Sequence, residues 1–260
     1  MSTVPDLSRF HAGWHRWLRF AAQRLVLRGV VGAVVDTEVE GLDNLDGLTE
    51  PFVLVANHSS HLDATVLVTA LPYRHTRHLA VGAAADYFFN SWWRRAATSL
   101  FFNSYPVHRS GQGGKGRGMS QQLLADGVPV LIFPEGTRSR DGVMRAFKPG
   151  AAALCCKLGV PCVPVALLGA HDAMPVGRSW PVPGRPPVRV LVGRPMRPGP
   201  GEKAKEFNDR VAARVATMLT MQTPYVVGDQ PTAGEAGGHP GAGTDGRDAR
   251  GGAGAQEEAS

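Results

Sequence analysis

The chain has 260 residues, 43% of them hydrophobic, and a formal net charge of +6. That length suits an α/β domain with a sizeable core and excludes a short disulfide-held scaffold. The charge is uneven: residues 228–260 hold two Lys/Arg against six Asp/Glu, net −4, which leaves +10 on residues 1–227. A body of that charge points to anionic partners, namely phosphate substrates or an anionic bilayer. Nucleic acid is not expected as a partner, because no fold signature accompanies the charge. Cys155, Cys156 and Cys162 lie among apolar residues without a paired CxxC, so inert core thiols are predicted. No secretory signal is evident, and the apolar stretch Gly29–Val35 falls short of the roughly 20 residues a spanning helix needs. The expected location is the cytosolic, reducing side.

Taken in chain order, Trp14–Val31 reads as a basic amphipathic helix. Trp14, Leu18, Ala21 and Leu25 form an apolar stripe, and Arg9, Arg16, Arg19, Arg24 and Arg28 fall opposite, interleaved with Trp17, Phe20 and Leu27. Arginines mixed with large aromatics suit a bilayer interface, so peripheral attachment to an anionic membrane is expected. Asp36–Glu50 reads as a polar connection. Phe52–Ala56 is a strand, followed by a loop and an apolar helix over Ala64–Leu71. His78–Gly82 reads as a strand, Ser91–Leu100 as a helix, and Ser104–Arg109 as a short strand. Gly111–Gly118 is glycine-rich but spells no phosphate loop. Met119–Ala125 is a helix, Val128–Phe133 the strongest strand signal, and Ala151–Leu158 another helix. Cys162–Leu168 and Val188–Val192 are strands, and Glu202–Met221 is the last helix. Residues 228–260 contain ten glycines and no aromatics, a composition that predicts disorder. The alternation predicts an α/β fold, a mixed and mostly parallel sheet flanked by helices on both faces.

Three polar constellations follow apolar strands: NHSSHLD (residues 57–63), SYPVHR (residues 104–109) and FPEGTRS (residues 133–139). Loops at the carboxyl ends of strands are where open α/β sheets build sites. His58 and Asp63 are five residues apart, about 140° around a continuous helix. They meet only if His58 lies on the loop and Asp63 in the first helical turn. A carboxylate there fixes one imidazole tautomer, which makes His58 a candidate general base. Asp63 also stands where it can complete an N-terminal cap begun at Ser60. His61 reads as structural. Arg109 and Arg138, with Lys148 as a third candidate, supply positive charge for a phosphate monoester. Glu135 is placed to bond a hydroxyl or brace an arginine, and Gly136 allows a tight turn. The absence of GxSxG argues against a serine nucleophile and for direct attack by a substrate hydroxyl.

On these residues the chain resembles the glycerophospholipid acyltransferases of the lysophosphatidate acyltransferase type. NHSSHLD is similar to that family's His-x4-Asp motif, FPEGTRS to its third motif, and Val163–Leu167 (VPVAL) to its fourth. SYPVHR corresponds to the second, with Arg109 kept, Asn103 where glycine is usual, and Tyr105 and Pro106 in place of an apolar pair. The resemblance spans roughly residues 31–193. It implies that His58, oriented by Asp63, deprotonates the hydroxyl of a lysophospholipid acceptor. The hydroxyl then attacks the thioester of acyl-CoA or acyl-carrier protein. Arg109, Glu135, Gly136, Thr137 and Arg138 are implied to hold the glycerol phosphate. No cofactor or metal is expected, since the thioester is already activated. The expected domains are an interfacial helix at 1–35, an acyltransferase domain at 36–227 and the tail at 228–260. The alternatives are a thioesterase using the same pair and a non-catalytic binder of anionic lipid.

Overall fold

A computed structural model of the protein describes residues 17, 20–84, 101–107 and 114–221. The helix expected at Ser91–Leu100, the arginine at 109 and the expected tail all lie outside the described residues. The strands are β1 (Asp36–Glu40), β2 (Val53–Ala56), β3 (Ala80–Ala84), β4 (Tyr105–Val107), β5 (Val130–Ile132), β6 (Cys162–Leu168) and β7 (Pro187–Val192). The helices are α1 (Arg28–Val34), α2 (Leu62–Ala70), α3 (Tyr73–Thr76), α4 (Gly114–Ala125), α5 (Gly150–Leu158), α6 (Ala170–Ala173) and α7 (Ala204–Met221).

Among the described residues the strands form one sheet in the order β1–β7–β6–β2–β5–β3–β4. The β6–β7 pair is antiparallel and the other pairings are parallel. The expected mixed, mostly parallel sheet is therefore present. Side chains of its central strands alternate between two cores, as the period of two requires. Leu54 and Ala56 of β2, with Val163, Val165 and Leu167 of β6, join Val66 and Leu67 of α2 on one face. Val53 and Val55, with Cys162 and Ala166, join Cys155 of α5 and Phe207, Val211 and Val215 of α7 on the other. Cys155 and Cys162 are buried thiols, and the hydrogen bond between them, followed by burial, raises the pKa of the Cys162 thiol well above its ordinary value.

Two regions depart from the sequence reading. Asp36–Glu40, expected as a connection, is the edge strand β1, paired in parallel with β7. Its acidic residues face solvent, and Arg189 pairs with Glu38 and Glu40 while Arg185 pairs with Asp36. Asp and Glu are poor strand formers, so the alternation was masked, yet charge on an edge strand blocks unwanted pairing.

The second departure is at the N-terminus, where Ala22–Leu27 is π-helical and runs into α1. In a π-helix each N–H reaches the carbonyl five residues back, so faces assigned at about 100° per residue lose register. Leu25, expected on the apolar stripe with Ala21, is 73% exposed, whereas Ala22 and Gln23 are buried. Arg24, expected on the basic face, points inward instead. It donates to the Thr69 and Leu71 carbonyls at the end of α2, at 3.3 and 3.0 Å. Gln23 donates to the Phe101 carbonyl at 2.6 Å. Trp17, Leu25, Val26 and Val30 are left facing out.

Candidate active site

β2 and β5 are parallel neighbours, and the chain leaves them in opposite directions. After β2 it enters α2 on one face of the sheet; after β5 it reaches α5 on the other. Diverging loops at adjacent carboxyl ends open a crevice between them. NHSSHLD follows the first of these strands and FPEGTRS the second.

His58 sits on the loop and Asp63 in the first turn of α2, the geometry their spacing demanded. His58 Nδ1 lies 2.8 Å from Asp63 Oδ2. Because a carboxylate only accepts, Nδ1 is assigned the proton, which leaves the Nε2 lone pair as the basic site. The same Oδ2 accepts the backbone N–H groups of Ser59 at 2.7 Å and Ser60 at 2.9 Å. The capping role and the orienting role thus fall on a single oxygen. Ser60 Oγ completes the helix start by accepting the Leu62 N–H at 3.2 Å while donating to the Met174 carbonyl at 2.8 Å. Asp63 is fully buried and the His58 side chain is 22% exposed, so the pair has one open edge.

The β5 loop holds His58 at three further points. Its backbone N–H donates to Glu135 Oε1 at 2.7 Å, its carbonyl accepts the Ser139 N–H at 2.8 Å, and its ring stacks on Phe133. Glu135 Oε2 accepts the Arg145 N–H at 2.9 Å. Burial pushes the Glu135 carboxyl upward, and these backbone donors from Arg145 and His58 partly offset it. Both Glu135 oxygens are therefore engaged by backbone, and the residue, expected at the acceptor, braces the two loops against each other.

Gly136 turns the loop at φ 74°, and its N–H bonds the Phe133 carbonyl at 3.1 Å. Glycine is required here by that left-handed conformation; the Lys148 Nζ that a Cβ would meet at 2.8 Å is the end of a flexible side chain. Thr137 is exposed and Arg138 half-buried. The guanidinium of Arg138 is close enough to depress the half-buried His61 imidazole, second only to burial itself, with His58 adding to the effect and Asp63 opposing it. Arg138 follows the β5 turn one residue before Ser139, whose N–H bonds the His58 carbonyl.

Sequence reasoning missed Asn57, Phe133 and Ser139 as supports. The Asn57 amide donates to the Leu167 carbonyl at 2.9 Å and accepts the Leu167 N–H at 2.8 Å. It extends the β2–β6 ladder by one side-chain rung. A buried amide directly after an apolar strand was the available signal. Asn57 and Ser59 also border a cleft of about 340 Å³, with Asp141, Gly142 and His171 across it.

Comparison with known proteins fits this geometry. The acyltransferase family matches residues 36–168. The chain belongs to the acyltransferase family. It is 30% identical over 231 residues to a 1-acyl-sn-glycerol-3-phosphate acyltransferase of Pseudomonas aeruginosa, covering 85% of this chain and 82% of that protein. It is 31% identical over 188 residues to a chloroplastic protein of the same name from Brassica napus, covering 71% of this chain and 51% of that one. The chain thus spans about half the length of the plant and algal family members it matches. The fold is shared with the crystal structure of PlsC from Thermotoga maritima, at a TM-score of 0.60 and 24% identity, over 83% of this chain and 90% of that one.

Proposed function

We propose that this chain transfers a fatty acyl group from acyl-CoA or acyl-carrier protein to the hydroxyl of lysophosphatidate or a related lysophospholipid. The observation that carries the reading is the 2.8 Å contact between His58 Nδ1 and buried Asp63, with the opposite ring edge open. Family members named as 1-acyl-sn-glycerol-3-phosphate acyltransferases support the acceptor.

In this reading Nε2 of His58 removes the acceptor's hydroxyl proton as the oxygen attacks the thioester carbonyl. The tetrahedral intermediate then collapses, breaks the C–S bond, and the departing thiolate takes the proton from the imidazolium. Asp63 holds the ring in one tautomer and stabilises its charged form. General base catalysis of this kind contributes about 10²–10⁴-fold, and alignment of the two substrates adds the rest. Arg138, Lys148 and Arg109 are assigned to the phosphate, and Gly136 and Thr137 to the turn that presents them. The reaction as written needs no cofactor or metal.

The protein is proposed to act on the cytoplasmic face of a membrane, as a peripheral protein. No helix among the described residues is long and apolar enough to cross a bilayer. Outward-facing Trp17, Leu25, Val26 and Val30 support interfacial attachment. Residues 1–35 form the attachment segment, 36–227 the catalytic domain and 228–260 an appended tail in this scheme.

The test is acyl transfer from a radiolabelled thioester to lysophosphatidate, with His58→Ala as control. Labelled phosphatidate that disappears in His58→Ala supports the reading. Free fatty acid as sole product assigns a thioesterase, and unaltered lipid binding without turnover assigns a binder.

A further inference from the structure

The ring of His58 is held in its own plane by Asp63, but that contact leaves the tilt of the plane unspecified. Phe133 supplies it. The two rings lie nearly parallel, 18° apart, with centroids 4.1 Å from each other. Phe133 is itself fixed: it follows β5, packs on the core beneath α2, and its carbonyl closes the Gly136 turn at 3.1 Å.

Packing alone does not call for an aromatic ring here, since leucine would fill a comparable space against the same core. The ring face adds something leucine lacks, a negative quadrupole. Two neutral rings stacked near face to face gain little from it, because their quadrupoles repel. A cation over the same face within about 6 Å is attracted. Resting on the reading of His58 as general base, proton transfer converts the first situation into the second. The contact strengthens as the proton arrives on Nε2, and only interactions that strengthen toward the transition state accelerate the step.

We infer that Phe133 is a positioning residue of the reaction, setting the plane of the His58 ring and stabilising it once protonated. It acts through His58.

Two variant sets test this on the full-length protein. Phe133→Leu is expected to lower kcat by about 3- to 30-fold with KM for donor and acceptor essentially unchanged. Phe133→Tyr, which keeps the ring face, is expected to retain most of the turnover. In a His58→Ala background Phe133→Leu is expected to cost nothing further, because the partner is gone. Mono-, di- and trifluorophenylalanine at position 133 keep the shape while draining the face, so log kcat should fall stepwise with each fluorine. Turnover that stays flat along the fluorine series, or an equal Phe133→Leu cost with and without His58, overturns the inference. If His58→Ala is itself fully active, the proposed function fails, a result distinct from failure at Phe133.

Discussion

The junction around His58 and the N-terminal helical segment solve opposite problems. At the junction, polar groups face inward and most are matched: one Asp63 oxygen serves three donors, and both backbone groups of His58 are bonded to the β5 loop, while Asp63 Oδ1 is buried with no hydrogen-bond partner among the described residues. At the N-terminus, polar Gln23 and half-buried Arg24 face inward, and apolar Trp17, Leu25, Val26 and Val30 face water. The first arrangement removes freedom from the ring proposed above as the general base. The second leaves apolar side chains exposed among the described residues, with Trp17 edge-on to Phe20. The two regions thus differ in which side chains, polar or apolar, the fold has paired.

The sharpest way to break the comparison is at the junction. Removing the base by His58→Ala should lower kcat/KM by about 10²–10⁴-fold, measured by labelled acyl transfer, with little change in melting temperature. Asp63→Asn should match that loss and also destabilise the fold by about 1–3 kcal/mol, read from denaturant unfolding, since the same oxygen caps α2. Equal stability of the two variants would separate orienting from capping and undo the single-oxygen account.

Next in size, Glu135→Gln offers one acceptor where two backbone N–H groups need two. Turnover should drop by about 10- to 100-fold as the His58 loop shifts, with the acceptor KM nearly constant. A rise in acceptor KM at constant kcat would instead return Glu135 to the acceptor. For the adhesive region, replacing Trp17, Leu25, Val26 and Val30 together by serine should weaken sedimentation with anionic vesicles by at least about tenfold. Turnover of a monodisperse short-chain substrate should remain. Unchanged sedimentation removes the membrane role from this face.

The smallest effect concerns acid stability and should leave both regions alone. The hydrogen bonds from Arg210, and then from the Gly199 N–H, hold the Glu202 carboxyl down from its ordinary 4.5 to about 2. A depressed folded-state value means this contribution is complete above about pH 4.5 and is lost as pH falls toward 2. Solvent screening keeps it modest. Glu202→Gln should therefore flatten the fall in melting temperature across that window while changing neither turnover nor vesicle binding.

What the sequence disclosed follows from how far apart the cooperating residues are. The His58–Asp63 pair was legible because five residues and one loop-to-helix junction determine it. The apolar runs of β2, β5, β6 and β7 were legible because burial on both faces leaves near-continuous hydrophobic stretches. The acidic alternation of β1 was hidden by its composition. The brace from Glu135 to His58 spans 77 positions and the Asn57–Leu167 rung spans 110, so neither could be read before the strand order was known. The N-terminal faces were misread because the sequence carries no marker for a π-helical turn.

That turn has a consequence of its own. A helix closing its bonds over five residues instead of four holds an extra residue in the loop of backbone. Deleting one residue between Ala22 and Leu27 would let it relax to ordinary pitch, the wide turn absorbing the loss while Phe20 keeps its contact with Tyr73. The extra residue is thus the one part of this segment whose removal the rest of the fold should tolerate.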